Sequence, residues 1–147
     1  MDTFTGAKIA LFCNNKIVTI LRDEKPNLDY SGMWDLPGGG REGQEALIEC
    51  ISREVFEELH IELAPESITY QKIYPVLKDP SLMSYFLVGQ VTEDQINGII
   101  FGNEGQRWEL ITVDEFLNHR SSVPYFKIRF HDFFNSNESD QYVGARI

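Results

Sequence analysis

This chain lacks long hydrophobic runs, has few cysteines and is poor in positive charge, and each shortage narrows what it does. No stretch approaches the roughly 18 apolar residues of a membrane-crossing helix, so no membrane role is expected. The opening residues, MDTFTGAKIALFC, carry neither a basic leader nor an apolar segment of secretory length, from which a cytoplasmic location is expected. The 2 cysteines, Cys13 and Cys50, fall inside an apparent strand and an apparent helix. They read as small buried hydrophobes rather than a disulfide, as a reducing compartment favours. With 13 Lys and Arg against 23 Asp and Glu, the net charge is −10, which argues against nucleic acid polymers and anionic membranes as partners. A small phosphorylated ligand stays compatible, provided that a metal ion neutralises its phosphates. There is no internal repeat and no low-complexity tract.

What is present is enough for one core. A chain of 147 residues, 42% apolar and 24% charged, has the size and composition of one ordinary globular domain, taken as residues 1–147 with a polar, flexible tail expected over about 136–147. Residues 8–13 and 16–22 are β-rich apolar runs around Asn14-Asn15, a hairpin pattern. Residues 23–33 are rich in turn formers and read as a surface loop; residues 34–37 (WDLP) follow as a short extended piece. Three successive glycines, Gly38, Gly39 and Gly40, imply a backbone position needing positive φ or close approach to a ligand, against the blander reading of a flexible turn.

A helix is expected over 44–59, with Ile48, Ile51, Val55 and Leu59 forming one apolar stripe. Glu54, Glu57 and Glu58 lie beside that stripe within an arc of roughly 100°. Like charges at these spacings repel, and the C-terminal end of a helix disfavours anions. At an effective dielectric of about 20, two carboxylates about 6 Å apart repel by roughly 3 kcal/mol. Three acids in that position point to a divalent cation held by oxygen ligands.

Further on, strands are expected over 68–77 and 82–91, joined by a turn at 78–81. A polar connection follows over 92–105, then a strand over 107–113. Asp114 reads as the N-cap of a short helix at 115–118, and a last helix is expected over 123–134, its Phe126, Phe130, Phe133 and Phe134 at helical spacing. The pattern is that of an α/β (α+β) fold, a mixed central sheet with helices on both faces.

Gly39, Glu45 and the run Arg53-Glu54-Val55-Phe56-Glu57-Glu58-Leu59-His60-Ile61 resemble the Nudix box, G-x5-E-x7-R-E-U-x-E-E-x-G-U, and the preceding GMWDLPGG also looks like that family. One position departs: His60 stands where the family has its second glycine, which puts the helix-end geometry in question without removing a metal ligand. The resemblance implies an α/β/α Nudix sandwich and a metal-dependent pyrophosphohydrolase. Such an enzyme cleaves a nucleoside diphosphate linked to a further moiety: a nucleoside triphosphate, an oxidised dNTP such as 8-oxo-dGTP, or a molecule like ADP-ribose. The alternative is a Nudix-fold module that binds a nucleotide and regulates without hydrolysis.

By the same resemblance, Glu54, Glu57 and Glu58 bind Mg²⁺ or Mn²⁺ and, with Arg53, form the catalytic set. The Gly38 carbonyl adds a ligand, and Glu104 adds another from a later loop, with Glu109 in reserve. Gly39 and Glu45 are structural, Glu45 pairing with Arg53 to brace the loop. Arg22 is either a phosphate contact or a surface ion pair; Trp34, Tyr85 and Phe101 either stack a base or belong to the core. The partner implied is a small nucleotide-type substrate, and a homodimer is compatible with the resemblance. Mutator-type enzymes read the oxidised base with an Asn before a Glu-Pro step; Ser122-Val123-Pro124 is the nearest match here and lacks it, so the sequence does not support that specificity.

Overall fold

A computed structural model describes residues 3–139. Strand β1 (Gly6–Cys13) turns at Asn14, whose φ of 55° uses asparagine's tolerance of the left-handed region, into β2 (Lys16–Leu21). The two strands pair only near the turn, at Phe12–Ile17 and Cys13–Lys16. Beyond that they part. There β3 (Trp34–Asp35) joins β2 at Ile20 and Leu21, while β4 (Gly38–Gly40) joins β1 at Gly6, Ala7 and Lys8. This divergence opens the cleft described below.

On the far side of β1 lies β6 (Met83–Gln90), in parallel register from Gly6–Ser84 to Phe12–Gln90, and β5 (Ile68–Pro75) pairs antiparallel with β6. Strand β7 (Arg107–Thr112) pairs antiparallel with the outer side of β2. The result is one mixed sheet, the architecture expected.

Both faces are covered, which is why β1 is apolar on both sides rather than alternating. Ile9 and Leu11 face helix α1 (Leu47–Leu59) through Ile51, Val55 and Leu59. Ala10 and Phe12 face the opposite layer, where Phe86, Phe116, Phe126, Phe130 and Phe133 form an aromatic cluster. At roughly 25 cal/mol per Å², burying such rings supplies much of the folding free energy. The phenylalanine spacing near the C-terminus is therefore a core pattern.

The helices differ from expectation at their ends. Helix α1 starts at Leu47, not at 44, because the Glu49 carboxylate accepts from the Ala46 N–H at 2.8 Å and stops the helix growing backwards. A short helix α2 (Glu93–Asn97) occupies what read as an irregular connection; Thr92 caps it, and the Gln95 side chain accepts from the Thr92 N–H at 2.9 Å. Helix α3 (Val113–Asn118) is capped by Thr112 instead of Asp114, since the Thr112 hydroxyl accepts from the Glu115 N–H at 3.1 Å. Helix α4 (Phe126–Phe134) begins after Pro124, so residues 123–125 lie outside it. Of the polar tail, Ser139 is buried and its hydroxyl donates to the Ser136 carbonyl at 2.9 Å; residues 140–147 lie outside those described. No helix among the described residues is long and apolar enough to cross a membrane.

Candidate active site

The last two turns of α1 carry the acids. The helix ends at His60, which takes the left-handed conformation itself (φ 60°, ψ 33°), with its N–H bonded to the Phe56 carbonyl at 2.9 Å. Its ring lies 4.3 Å from that of Phe56. The cap geometry that a glycine would provide is thus kept, with a Cβ penalty of roughly 1 kcal/mol. Gly102 then docks against the helix end, its N–H donating to the Glu58 carbonyl at 2.9 Å; a Cβ there would collide with the Glu57 carbonyl.

The cleft between the diverging strands holds about 370 Å³ and is bordered by Lys8, Arg22, Gly38, Glu54, Glu58 and Glu104. Two of the glycines before α1 are required by geometry. Gly38 has φ +131°, and a Cβ there would run into the Ala7 carbonyl. Gly39 is close to the Glu54 carboxylate: a Cβ at this position would lie 2.6 Å from Glu54 Oε2. Positive φ is required at Gly38, and at Gly39 the group that approaches closely is one of the helix's own acids rather than a ligand.

Glu58 faces the cleft floor. Its Oε1 accepts from the Gly38 N–H at 2.8 Å. Burial pushes its carboxyl up to about 8, against the pull of Lys8 and of the Gly38 N–H and with help from Glu54 and Asp35. Burial also raises Glu54, although Arg53 counters it. Glu57, with 55% of its side chain exposed, stands at the rim.

Arg53 ties these groups together. Its Nε donates to Glu45 Oε2 at 2.7 Å and its Nη2 to Glu45 Oε1 at 3.0 Å and to the Gly40 carbonyl at 2.8 Å. Its Nη1 bridges Glu54 Oε1 and Glu57 Oε1, at 3.0 Å each. The hydrogen bonds from Arg53 hold the Glu45 carboxyl down at about 2. Among the described residues no three acids, histidines or cysteines converge into a ready-made metal cage. Arg53 takes up charge that Glu54 and Glu57 would otherwise present.

The donor set nevertheless suits a hard divalent cation: two carboxylates at the cleft whose ionisation burial opposes, with Glu104 also lining it. The Gly38 carbonyl accepts from Lys8 Nζ at 3.2 Å, which leaves one of its two lone pairs. Glu109, the reserve, pairs instead with Arg107 at 3.2 Å on β7.

Arg22 borders the cleft, but its Nη1 is bound to Asp35 Oδ2 at 3.0 Å. None of the three aromatic candidates lines this cleft. Trp34 is buried in the aromatic layer, 6.4 Å from the His119 ring with the Arg107 guanidinium 5.1 Å above it. Tyr85 packs edge-on to Phe4 at 5.5 Å, and Phe101 packs into the α1-side cluster. Trp34 thus belongs to one core cluster, while Tyr85 and Phe101 are partly buried against the other.

Sequence reasoning passed over Lys8 and Asp35. Asp35 is 3% exposed and accepts from Lys8 Nζ and Arg22 Nη1, both at 3.0 Å, and from the Leu36 N–H at 2.7 Å. Burial opposes the Lys8 charge, yet Asp35 and Glu58 overcome it and raise its pKa. The signal was available: a lone charge in the apolar strand KIALFC and a lone acid between Trp34 and Leu36 each need a buried partner.

Comparison with solved structures agrees with this architecture. A MutT protein from Methanosarcina mazei Go1 superposes with a TM-score of 0.68 at 23% identity, covering 90% of this chain and 94% of that one. An Ap4A hydrolase from C. elegans gives 0.65 at 13% identity, over 88% of this chain and 97% of that one. A bifunctional NMN adenylyltransferase/ADP ribose pyrophosphatase from Francisella tularensis gives 0.66 at 20% identity, covering 91% of this chain but 41% of that larger one. At these identities the likeness concerns the fold. No curated protein is significantly similar in sequence. The sequence model of the NUDIX domain, however, matches residues 4–130, which takes in the glycine strand, the acidic helix and the cleft that they form: the chain belongs to the Nudix family of pyrophosphohydrolases.

Proposed function

We propose that this enzyme uses Mg²⁺ or Mn²⁺ to hydrolyse a nucleoside diphosphate linked to a further moiety, by attack of water on phosphorus. The observation that carries the reading is the convergence of Glu54 and Glu58 with the Gly38–Gly40 strand on one cleft of about 370 Å³. Glu54 and Glu58 would hold the cation, with the free lone pair of the Gly38 carbonyl, Glu57 and Glu104 as further donors. When bound, the cation neutralises diphosphate oxygens and makes water a better nucleophile. One of the three helix glutamates takes the proton of the attacking water as the new P–O bond forms and the anhydride P–O bond breaks. Arg53 keeps Glu54 and Glu57 in position, and Lys8 and Arg22 supply positive charge along the wall that the diphosphate faces. The cytoplasm, where nucleotides abound, is the proposed setting.

The test is a screen, by chromatographic separation of the nucleotide products, of hydrolysis of nucleoside triphosphates, 8-oxo-dGTP, ADP-ribose, dinucleoside polyphosphates and nucleotide sugars, with Mg²⁺ or Mn²⁺. Glu54→Gln and Glu57→Gln serve as controls, each expected to lose on the order of 10²-fold or more in rate. Undiminished turnover by both variants would remove the glutamates from these roles. No turnover of any substrate would favour the nucleotide-binding module instead.

A further inference from the structure

A second pocket lies on the other side of the glycine strand. It holds about 240 Å³, shares Lys8, Gly39 and Gly40 with the cleft, and is walled by Tyr30, Tyr125 and Leu77. Arg129 lines it from α4. This arginine is 5% exposed, and no hydrogen bond or ion pair joins its guanidinium to any other described residue. What surrounds it is aromatic: the guanidinium carbon lies 4.3 Å from the Tyr125 ring centre and 4.7 Å from that of Tyr74. Rings stabilise a cation without neutralising it.

The nearby acids are committed elsewhere. Asp35 is matched by Lys8 and Arg22. Asp132 accepts from Tyr74 and Lys72, and Asp29 at the pocket mouth pairs with Lys78 at 2.8 Å. Arg129 is thus a buried, donor-only, permanently charged group without an ion-pair partner of its own among the described residues, Asp35 acting on it only at a distance, in a protein whose net charge is −10. A buried charge of this kind is normally paired. No described residue supplies the pairing group, and the pocket has room for one.

We propose that this second pocket seats an oxyanion, a phosphate or carboxylate, carried by the substrate beyond its diphosphate, and that Arg129 contacts it directly. The placement rests on the pyrophosphohydrolase reading above: with the diphosphate in the cleft, the rest of the substrate crosses the Gly39–Gly40 backbone, which has no side chains to obstruct it. A planar guanidinium suits an oxyanion, which accepts two of its N–H groups side by side. A neutral acceptor, such as a base carbonyl, satisfies the donors but leaves the charge unmatched. The substrate class is therefore a diphosphate with a separate anionic group on its second moiety.

The test is calorimetric titration of the full-length, metal-free protein with ribose 5-phosphate and glucuronate, which separate the phosphate and carboxylate sources, and with ribose and guanosine as uncharged controls. At least one anion is expected to bind and the uncharged compounds are not. Arg129→Gln is expected to weaken anion binding by about tenfold or more, with Arg129→Lys recovering part of it. Leu77→Glu, at an exposed pocket position that folding does not depend on, is expected to weaken it several-fold by charge alone. Guanosine binding as tightly as the anions, or anion binding unaltered in both Arg129→Gln and Leu77→Glu, overturns the proposal. If Arg129→Gln fails to fold, unaltered binding in Leu77→Glu overturns it by itself. Arg129-dependent anion binding without hydrolysis of any diphosphate upholds this subsite and removes the proposed function. Hydrolysis in which Arg129→Gln matches the parent on every substrate does the reverse.

Discussion

Glu58 is an acid that folding makes hard to ionise, so removing its charge should stabilise the metal-free protein. Burial pushes its carboxyl up to about 8 in the fold, against an ordinary value of 4.5. Below pH 4.5 the group is protonated in folded and unfolded chains alike and contributes nothing. As pH rises from 4.5 to 8, the unfolded chain gives up the proton while the folded one retains it, so stability falls with pH across that window and levels off above it. At about 1.4 kcal/mol per unit, the loss reaches roughly 3 kcal/mol at pH 7, and less to the extent that solvent reaches the carboxylate. Glu58→Gln keeps an acceptor for the Gly38 N–H and abolishes this pH dependence. Urea denaturation in EDTA is the assay. The variant should match the parent near pH 4.5, exceed it by about 2–3 kcal/mol at pH 7, and hold its advantage at pH 8.5; in melting temperature that is on the order of 10 °C. Saturating Mn²⁺ should shrink the difference by stabilising the parent alone. Equal stability of the two proteins at every pH would refute both the burial of this carboxylate and its assignment as a tuned ligand.

Other outcomes test the surrounding parts. His60→Gly removes the Cβ penalty at a left-handed cap and should stabilise by up to about 1 kcal/mol, read as a rise in urea midpoint at unchanged slope; destabilisation would mean that the contact with Phe56 matters more. Gly39→Ala places a methyl 2.6 Å from the Glu54 carboxylate and should displace that acid, lowering kcat by about tenfold or more while the fold persists by circular dichroism. Arg53→Lys cannot reproduce the two bonds to Glu45 together with the bridge between Glu54 and Glu57; activity should fall by at least about tenfold and not recover with higher metal concentration.

The sequence by itself determined much of this protein, because much of it is local. Hairpin, acidic helix and phenylalanine-rich C-terminal helix follow from periodicity and turn chemistry, which act over a few residues. The spacing of Glu54, Glu57 and Glu58 on one helix face is a property of the helix alone, and so is the pattern of the Nudix box. Capping was less legible: Thr112 and Asp114 are both good caps, and the choice depends on which phase of the helix buries Val113 and Phe116 against the sheet. Trp34, Tyr85 and Phe101 could equally have been ligand contacts or core, since an aromatic ring carries no mark of which face it will meet. Only the tertiary structure decided that, by filling both sides of β1. It also decided what the acids at the end of α1 face. The parting of β1 and β2 brings Lys8, Asp35 and Gly38 against Glu58 from positions 20 to 50 residues away in the chain, and burial there, not sequence, turns an ordinary glutamate into one that titrates near neutrality. The same long-range folding leaves Arg129 enclosed by tyrosines beside an open pocket, a charge whose partner no local pattern could have announced.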